Sequence, residues 1–190
     1  MKTRKYRQTR RAEQQQETRR RIVEAAVALH GEVGPRDTTV KAVAERAGVE
    51  RLTVYRHFPD QVALFQACTA HWLEGHPLPD PEAWRLVADP AARAAILLER
   101  LYAYYRRTQR VWTLSWRDRN DVPALAAPMA AVDRYLDELS LDLAPAGSSQ
   151  PQRATAAHVL RFSTWQSLEA AGLDDAAKVK VAIAWLNALS

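Results

Sequence analysis

The sequence predicts an all-α protein: a small basic N-terminal domain followed by a larger, nearly neutral helical body. Three observations carry that prediction. Apolar residues recur at helical spacing along the chain, as in Val40, Val43, Ala44 and Ala47 at i, i+3, i+4 and i+7. Breakers such as Gly34-Pro35, Gly48 and the run GHPLPDP at 75–81 fall between these stripes. Charge is distributed unevenly, with 14 Lys and Arg against 7 Asp and Glu in residues 1–58, and 13 against 15 in residues 59–190. A chain of 190 residues can bury a proper core and divides here into two tightly joined parts.

Residues 1–17 form a basic arm, low in apolar residues, expected as a mobile tail or a frayed helix extension. In that arm Arg4, Lys5, Arg7, Arg10 and Arg11 are placed to follow phosphates or a minor groove, or simply to be solvated. The compact N-terminal domain is expected at residues 18–60. Its first helix runs from Thr18 to about Val33 with Ile22, Ala25, Ala26 and Leu29 on one face, and Gly31 and Gly34-Pro35 end it.

Thr38 or Thr39 can cap a second helix, since a hydroxyl there accepts from the orphan amides of the first turn. Gly48 closes that helix, because glycine tolerates the left-handed backbone at a helix end. A short third helix follows over Glu50–Arg56. It presents Glu50, Arg51, Thr53, Tyr55, Arg56 and His57 outward, with Val49, Val54 and Phe58 as inward anchors. Two short helices across a glycine turn, the second polar and basic, form a helix-turn-helix pattern. An α-helix fits the major groove of B-DNA, where Arg and Thr can read base edges and Tyr, His and Lys can hold phosphates.

The residues Thr-Thr-x3-Val-Ala-x2-Ala-Gly-Val-x3-Thr-Val-Tyr-x-His-Phe, from Thr38 to Phe58, resemble the DNA-binding signature of TetR-type transcriptional regulators. The resemblance covers about Thr18 to Trp72. It implies that the helix carrying Thr39 and Lys41 meets backbone phosphates, that the helix from Glu50 to Arg56 enters the major groove, and that Tyr55 and His57 hold phosphates while Phe58 anchors. Thr38, Arg51, Thr53 and Arg56 complete the expected DNA-binding set. Three positions depart from the common pattern: Glu50 replaces a capping Ser, Leu52 a small residue and Gln61 a phosphate-binding Lys. Glu50 is left to accept from a cytosine amino group or to cap its helix.

A helix over residues 60–75, through Leu64, Phe65 and Cys68, links this domain to a body expected at residues 76–190. GHPLPDP is the boundary. A short helix is expected near Glu82–Val87, then long helices over Ala91–Arg117 and Ala124–Leu143, and a last pair near Pro151–Ala171 and Asp174–Leu189. Trp84, Tyr105, Trp112, Trp116, Phe162 and Trp165 are material for an apolar ligand pocket, with Arg106, Gln109 or Arg161 as its polar groups. The same spacing also suits an ordinary packed core. The broad apolar coverage of the last two helices points to more than one packed side, and the resemblance implies pairing there into a homodimer. A single short reading helix contacts few bases, so two copies on a pseudo-palindrome are the expected use.

No His-Glu-x2-His, phosphate loop, nucleophile elbow or cysteine pair occurs in the sequence, so an enzyme is not expected, and neither is a cofactor or metal. His71 and His76 flank a breaker and are poorly spaced for a shared metal. The lone Cys68 excludes an internal disulfide. No run of about eighteen apolar residues or secretory leader is present, and a cytoplasmic location is expected. The sequence therefore implies a one-component regulator, most simply a ligand-responsive repressor on an operator. The alternative is a ligand-independent architectural protein whose aromatic body is only a dimer core.

Overall fold

The computed structural model describes residues 2–188, with side chains from Tyr6 onward. Every regular element among them is helical: α1 Lys2–Glu32, α2 Val40–Ala47, α3 Arg51–His57, α4 Gln61–Gly75, α5 Glu82–Arg85, α6 Pro90–Asp118, a 3-10 turn Pro123–Leu125, α7 Ala126–Leu143, α8 Gln150–Val159, α9 Phe162–Ala170 and α10 Asp175–Asn187. They form two compact units. Among the described residues, the first comprises 2–76 with 113–128, and the second 77–112 with 129–188.

In the first unit, α1 supplies Ile22, Val23, Ala26 and Leu29 to a core that α2 completes with Val43, Ala44 and Ala47. Val54 of α3, then Phe58, and Leu64 and Cys68 of α4 close it. The helix ends follow local chemistry. Thr39, not Thr38, caps α2, its hydroxyl accepting from the Ala42 amide at 3.1 Å. The Thr38 hydroxyl instead donates to the Gly34 carbonyl at 2.8 Å. Gly48 sits at φ 64°, ψ 43°, a left-handed cap that turns the chain from α2 into α3. Asp60 caps α4 by accepting from the Ala63 amide at 2.7 Å.

Two boundaries differ from those expected. The first helix begins at Lys2 and not at Thr18, so of the two alternatives expected for the arm, mobile tail or helix extension, it takes the second and is the upstream half of one rod. The run RRAEQQQETRRR contains no Gly or Pro to stop it, and Gln, Glu, Arg and Ala are all good helix formers. Residues 113–128 also join the first unit, beyond the boundary placed at 76. Asp118 explains this, being wholly buried, accepting from the Arg36 amide at 3.0 Å and paired with Arg117 at 2.6 Å. Arg117 in turn donates to the Val33 carbonyl at 2.8 Å.

The second unit has its own core, including Trp84, Leu97, Leu101, Tyr102, Tyr105, Leu136, Leu139, Val159, Phe162 and Trp165. The single helix expected over Pro151–Ala171 is in fact two, α8 and α9, separated at Leu160-Arg161. Arg161 takes an extended backbone, φ −71°, ψ 140°. The break is stabilised by groups far away in sequence: the buried Tyr102 and Tyr105 hydroxyls donate to the Val159 and Leu160 carbonyls at 2.8 and 2.7 Å. Two acceptors released from the helical ladder are thereby satisfied, which is the condition for burying a helix end. Thr164 adds a third bond, to the His158 carbonyl at 2.6 Å.

Candidate nucleic-acid interface

The outward face of α3 is built from below. Val54 and Phe58 are buried, at 1% and 2% exposure, and pin the helix to the core. On the opposite side Glu50, Arg51, Leu52, Tyr55 and Arg56 are exposed, while Thr53 and His57 are half-buried. Leu52 stands 65% exposed and Tyr55 46%.

Two arginines of α1 hold α3 in register. Arg19 donates to the His57 carbonyl at 3.0 Å, at the C-terminal end of α3, and its guanidinium lies 4.1 Å from the Phe58 ring centroid. A cation there meets the negative end of the helix dipole. Arg21 donates from Nε to the Ala47 carbonyl at 3.0 Å and from its terminal nitrogen to the Gly48 carbonyl at 3.0 Å, closing the end of α2. Arg46 completes the frame with a two-pronged pair to Glu32 at 2.6 and 2.7 Å. None of these three was singled out among the expected DNA-binding residues. The signal was present in the run Arg19–Arg21 at the head of the first apolar stripe, but long-range partners decide its role.

The expected contacts divide accordingly. Arg51 and Tyr55 make no hydrogen bond or ion pair with other described residues and are available to a ligand. Arg56 donates to the Thr53 hydroxyl at 2.8 Å, which sets both side chains along one edge of α3. Lys41 reaches Glu45 only at 3.8 Å with both side chains exposed, a contact that a phosphate displaces easily. Thr39 uses its hydroxyl as a cap and leaves its position on the exposed rim. Glu50 occupies the N-cap position without a side-chain cap bond, so its carboxylate remains exposed at the start of α3. His57 has its pKa lowered, first by burial and then by the charges of Arg19 and Arg56, and is neutral at pH 7. In that form it still has one N–H to donate.

A groove of about 580 Å³ runs between the upstream part of α1 and α3, lined by Arg11, Gln14, Gln15, Thr18, Arg19, Thr53, Arg56 and His57 among others. Its wall contains three arginines and no carboxylate. Exposed Arg and Tyr on a rigidly capped helix, flanked by a basic groove, form a surface suited to duplex DNA.

Residues 22–68 match the profile of the family described as bacterial regulatory proteins, tetR family. The helix-turn-helix of this chain is that of a TetR-type regulator. The transcriptional repressor KstR of Rhodococcus jostii is 42% identical over 60 residues, covering 32% of this chain and 28% of KstR. SrpR, a transcriptional regulator of Pseudomonas putida, is 39% identical over 67 residues, 35% of this chain and 30% of SrpR. The matched region thus spans less than a third of either relative. The fold likeness extends further. A TetR-like transcriptional regulator from Rhodococcus sp. RHA1 superposes with a TM-score of 0.62 at 18% identity, covering 89% of this chain and 93% of that one. A second Rhodococcus regulator gives 0.61 at 21% identity, over 90% and 95%. The all-α architecture with an N-terminal helix-turn-helix is that of the TetR-type regulators.

In the second unit, the residues expected for a ligand site separate into groups. Tyr105, Trp112, Phe162 and Trp165 come together, with Trp112 and Phe162 stacked at 5.7 Å, Phe162 and Trp165 at 5.5 Å, and Tyr105 edge-on to Phe162 at 5.3 Å. All four are buried. Trp165 Nε1 has no hydrogen-bond partner among the described residues. Trp84 is buried but committed, donating to Asp142 at 2.9 Å. Trp116 belongs to the first unit, where Arg119 lies 4.2 Å from its ring centroid. The two arginines expected as polar ligand groups are engaged in ion pairs. Arg106 is paired with Asp175 at 2.6 Å and Glu169 at 3.1 Å, and Arg161 with Asp133 at 2.6 Å. Arg106 lies on α6 and Arg161 at the α8–α9 break, and the carboxylates that pair with them come from other helices, which the local sequence does not display. Lys178, fully buried, pairs with Glu169 at 2.6 Å and joins the Arg106 cluster.

Among the described residues no group of His, Cys, Asp and Glu is arranged to hold a metal ion. Cys68 is a core thiol whose pKa is pushed up to about 12 by burial, which keeps it protonated and unreactive. No described helix is long and apolar enough to cross a membrane.

Proposed function

We propose that this chain is a one-component transcriptional repressor that binds a pseudo-palindromic operator as a homodimer and releases it when a small molecule occupies the second unit. The observation that carries the reading is the pairing of exposed, unpartnered Arg51 and Tyr55 with a helix locked from behind by Arg19 and Arg21. A side chain aimed at a base edge needs a backbone that does not move, and this one is held at both ends of the turn. Arg51 and Thr53 read bases, while Lys41, Tyr55 and His57 hold phosphates.

The effector site is the cluster of Tyr105, Trp112, Phe162 and Trp165. The Nε1 groups of Trp112 and Trp165, neither hydrogen-bonded among the described residues, offer donors in a largely aromatic setting bordered by the buried Lys178, so a flat apolar molecule carrying acceptors matches it. Two proteins sharing this fold were solved with small ring compounds, RolR with resorcinol at a TM-score of 0.52 and EbrR with imidazole at 0.54. Pairing of two chains uses the C-terminal helices, where Trp185 of α10 stands 39% exposed beside His158 of α8. Release requires the effector to bind one state of the dimer better than the other, since a ligand without differential affinity shifts nothing.

The test is selection of duplexes from a random pool at low salt, followed by binding of the winning sequence to the full chain with and without small aromatic compounds. Enrichment of an inverted repeat and loss of binding with one compound class are expected. Absence of any enriched sequence refutes the regulator. Enrichment that no compound affects favours a ligand-independent DNA-binding protein whose aromatic unit serves packing alone.

A further inference from the structure

The upstream half of α1 is a second DNA contact. We infer that residues 7–18 lie along the phosphate backbone outside the segment read by α3, and that they extend each half-site by several base pairs. This rests on the DNA-binding reading above.

The helical state of the arm decides the mode of contact. A flexible basic tail can thread the minor groove, but α1 is one continuous helix from Lys2 to Glu32. A helix with side chains is about 10–12 Å across. The minor groove is about 6 Å wide, so this rod cannot enter it and must meet the backbone from outside.

Its charges are sorted for that purpose. At about 100° per residue, Arg7, Arg11, Gln14, Gln15 and Thr18 fall within roughly 60° of Arg11, on one stripe. Four of them, Arg11, Gln14, Gln15 and Thr18, line the groove that faces Thr53, Arg56 and His57 of α3, and Arg7 extends the stripe one turn further. The acidic residues of the same stretch lie elsewhere: Glu13 falls on the far side, and Glu17 is tied to Arg20 at 2.7 Å. The groove therefore presents arginines and amide or hydroxyl donors without a carboxylate. That composition suits a phosphodiester chain, neutralised by guanidinium and hydrogen-bonded by Gln and Thr without base selectivity. From Arg7 to Thr18 the rod spans about 17 Å at 1.5 Å per residue. At about 3.4 Å per base pair this is some five base pairs of flank.

Arg7 and Arg11 are exposed and make no ion pair among the described residues, so Arg7→Gln/Arg11→Gln leaves the core untouched. The duplex selected from the random pool is made in two lengths, one keeping and one lacking five base pairs on each outer flank. Affinity is measured against salt for the wild type, the double variant and Arg134→Gln, an exposed control in the second unit. The wild type and the control should bind the long duplex at least tenfold more tightly than the short one, and the double variant should bind both alike. On the long duplex its salt slope should fall by about 1.8 per bound chain, 0.9 for each lost phosphate contact. Equal affinity of the wild type for both lengths, or a length effect that the double variant retains, overturns the inference while leaving the reading helix in place. Failure to bind either duplex overturns the DNA-binding reading itself.

Discussion

Acid should loosen the DNA-binding unit through a single imidazole. His30 of α1 stacks on Phe65 of α4, ring centroids 4.6 Å apart, and burial lowers its pKa from 6.5 to about 4. A folded-state pKa below the unfolded one means that the unfolded chain takes up the proton first. The contribution of neutral His30 is thus fully present above pH 6.5 and is lost as the pH falls through 4. The shift of about 2.5 units corresponds to about 3 kcal/mol at 1.36 kcal/mol per unit, an upper figure for one site. The buried Asp118 and the paired Asp175 have their pKa values lowered below 3.8 by their arginine partners, so their contributions vanish at still lower pH. The two processes therefore occupy separate windows. Urea unfolding followed by circular dichroism from pH 4.5 to 7.5 should show the wild type losing stability at up to about 1.4 kcal/mol per pH unit more than His30→Phe. In that variant an uncharged ring takes the place of the imidazole against Phe65. Parallel curves for the two proteins across this range would refute the stacking of a neutral His30 as the cause.

Other substitutions test single links. Tyr102→Phe and Tyr105→Phe each leave a buried carbonyl at the α8–α9 break without its donor and should cost about 1–3 kcal/mol in urea unfolding; no loss would mean that water already serves these carbonyls. Gly48→Ala forces a side chain into φ 64° and brings its Cβ to 3.2 Å from the Arg21 guanidinium, a destabilisation of about 1 kcal/mol or more, with Gly48→Asn better tolerated on thermal melting. Arg51→Ala should relax preference at one base position per half-site by about 1–3 kcal/mol in a substitution scan of the operator, whereas Tyr55→Phe should weaken all sequences equally. Operator affinity should rise as the pH falls from 7.5 towards 6, because a phosphate beside His57 raises the pKa that burial, Arg19 and Arg56 hold down; His57→Gln should remove that dependence.

The helix-turn-helix was legible because its determinants are local. Val43, Ala44 and Ala47 set the buried face, Gly48 sets the turn and Val54 and Phe58 set the anchor, all within a span where spacing alone fixes direction. The division of α8 from α9 was not legible. Residues 151–171 carry helical spacing throughout, and the break depends on Tyr102 and Tyr105, 57 and 55 positions away from the carbonyls they bond. The arginines of the second unit follow the same rule. Arg106 and Arg161 look like free cations in sequence, but Asp175, Glu169 and Asp133 reach them from other helices. The aromatic residues were sorted by tertiary structure as well, four into one cluster and Trp84 and Trp116 into other surroundings.

The same distinction between free and engaged charge bounds how strongly salt should act on DNA binding. Residues 1–58 contain 14 Lys and Arg, a count that by itself suggests a salt slope near 13 per chain at 0.9 per phosphate. Five of these cations are already occupied. Arg19 and Arg21 hold backbone carbonyls, Arg20 is tied to Glu17 and Glu24, Arg36 to Asp37 and Asp121, and Arg46 to Glu32. Moving Arg19 or Arg21 to a phosphate would give up the bonds that orient α3, so those two charges contribute to specificity through geometry and not through counterion release. The remaining nine set a ceiling of about eight, reached only if Lys2, Arg4 and Lys5, whose side chains lie outside the described residues, all meet phosphates. A measured slope above that ceiling would mean that the clamps open on DNA. In that case the reading helix is oriented by the duplex, and the interior of the protein no longer sets its direction.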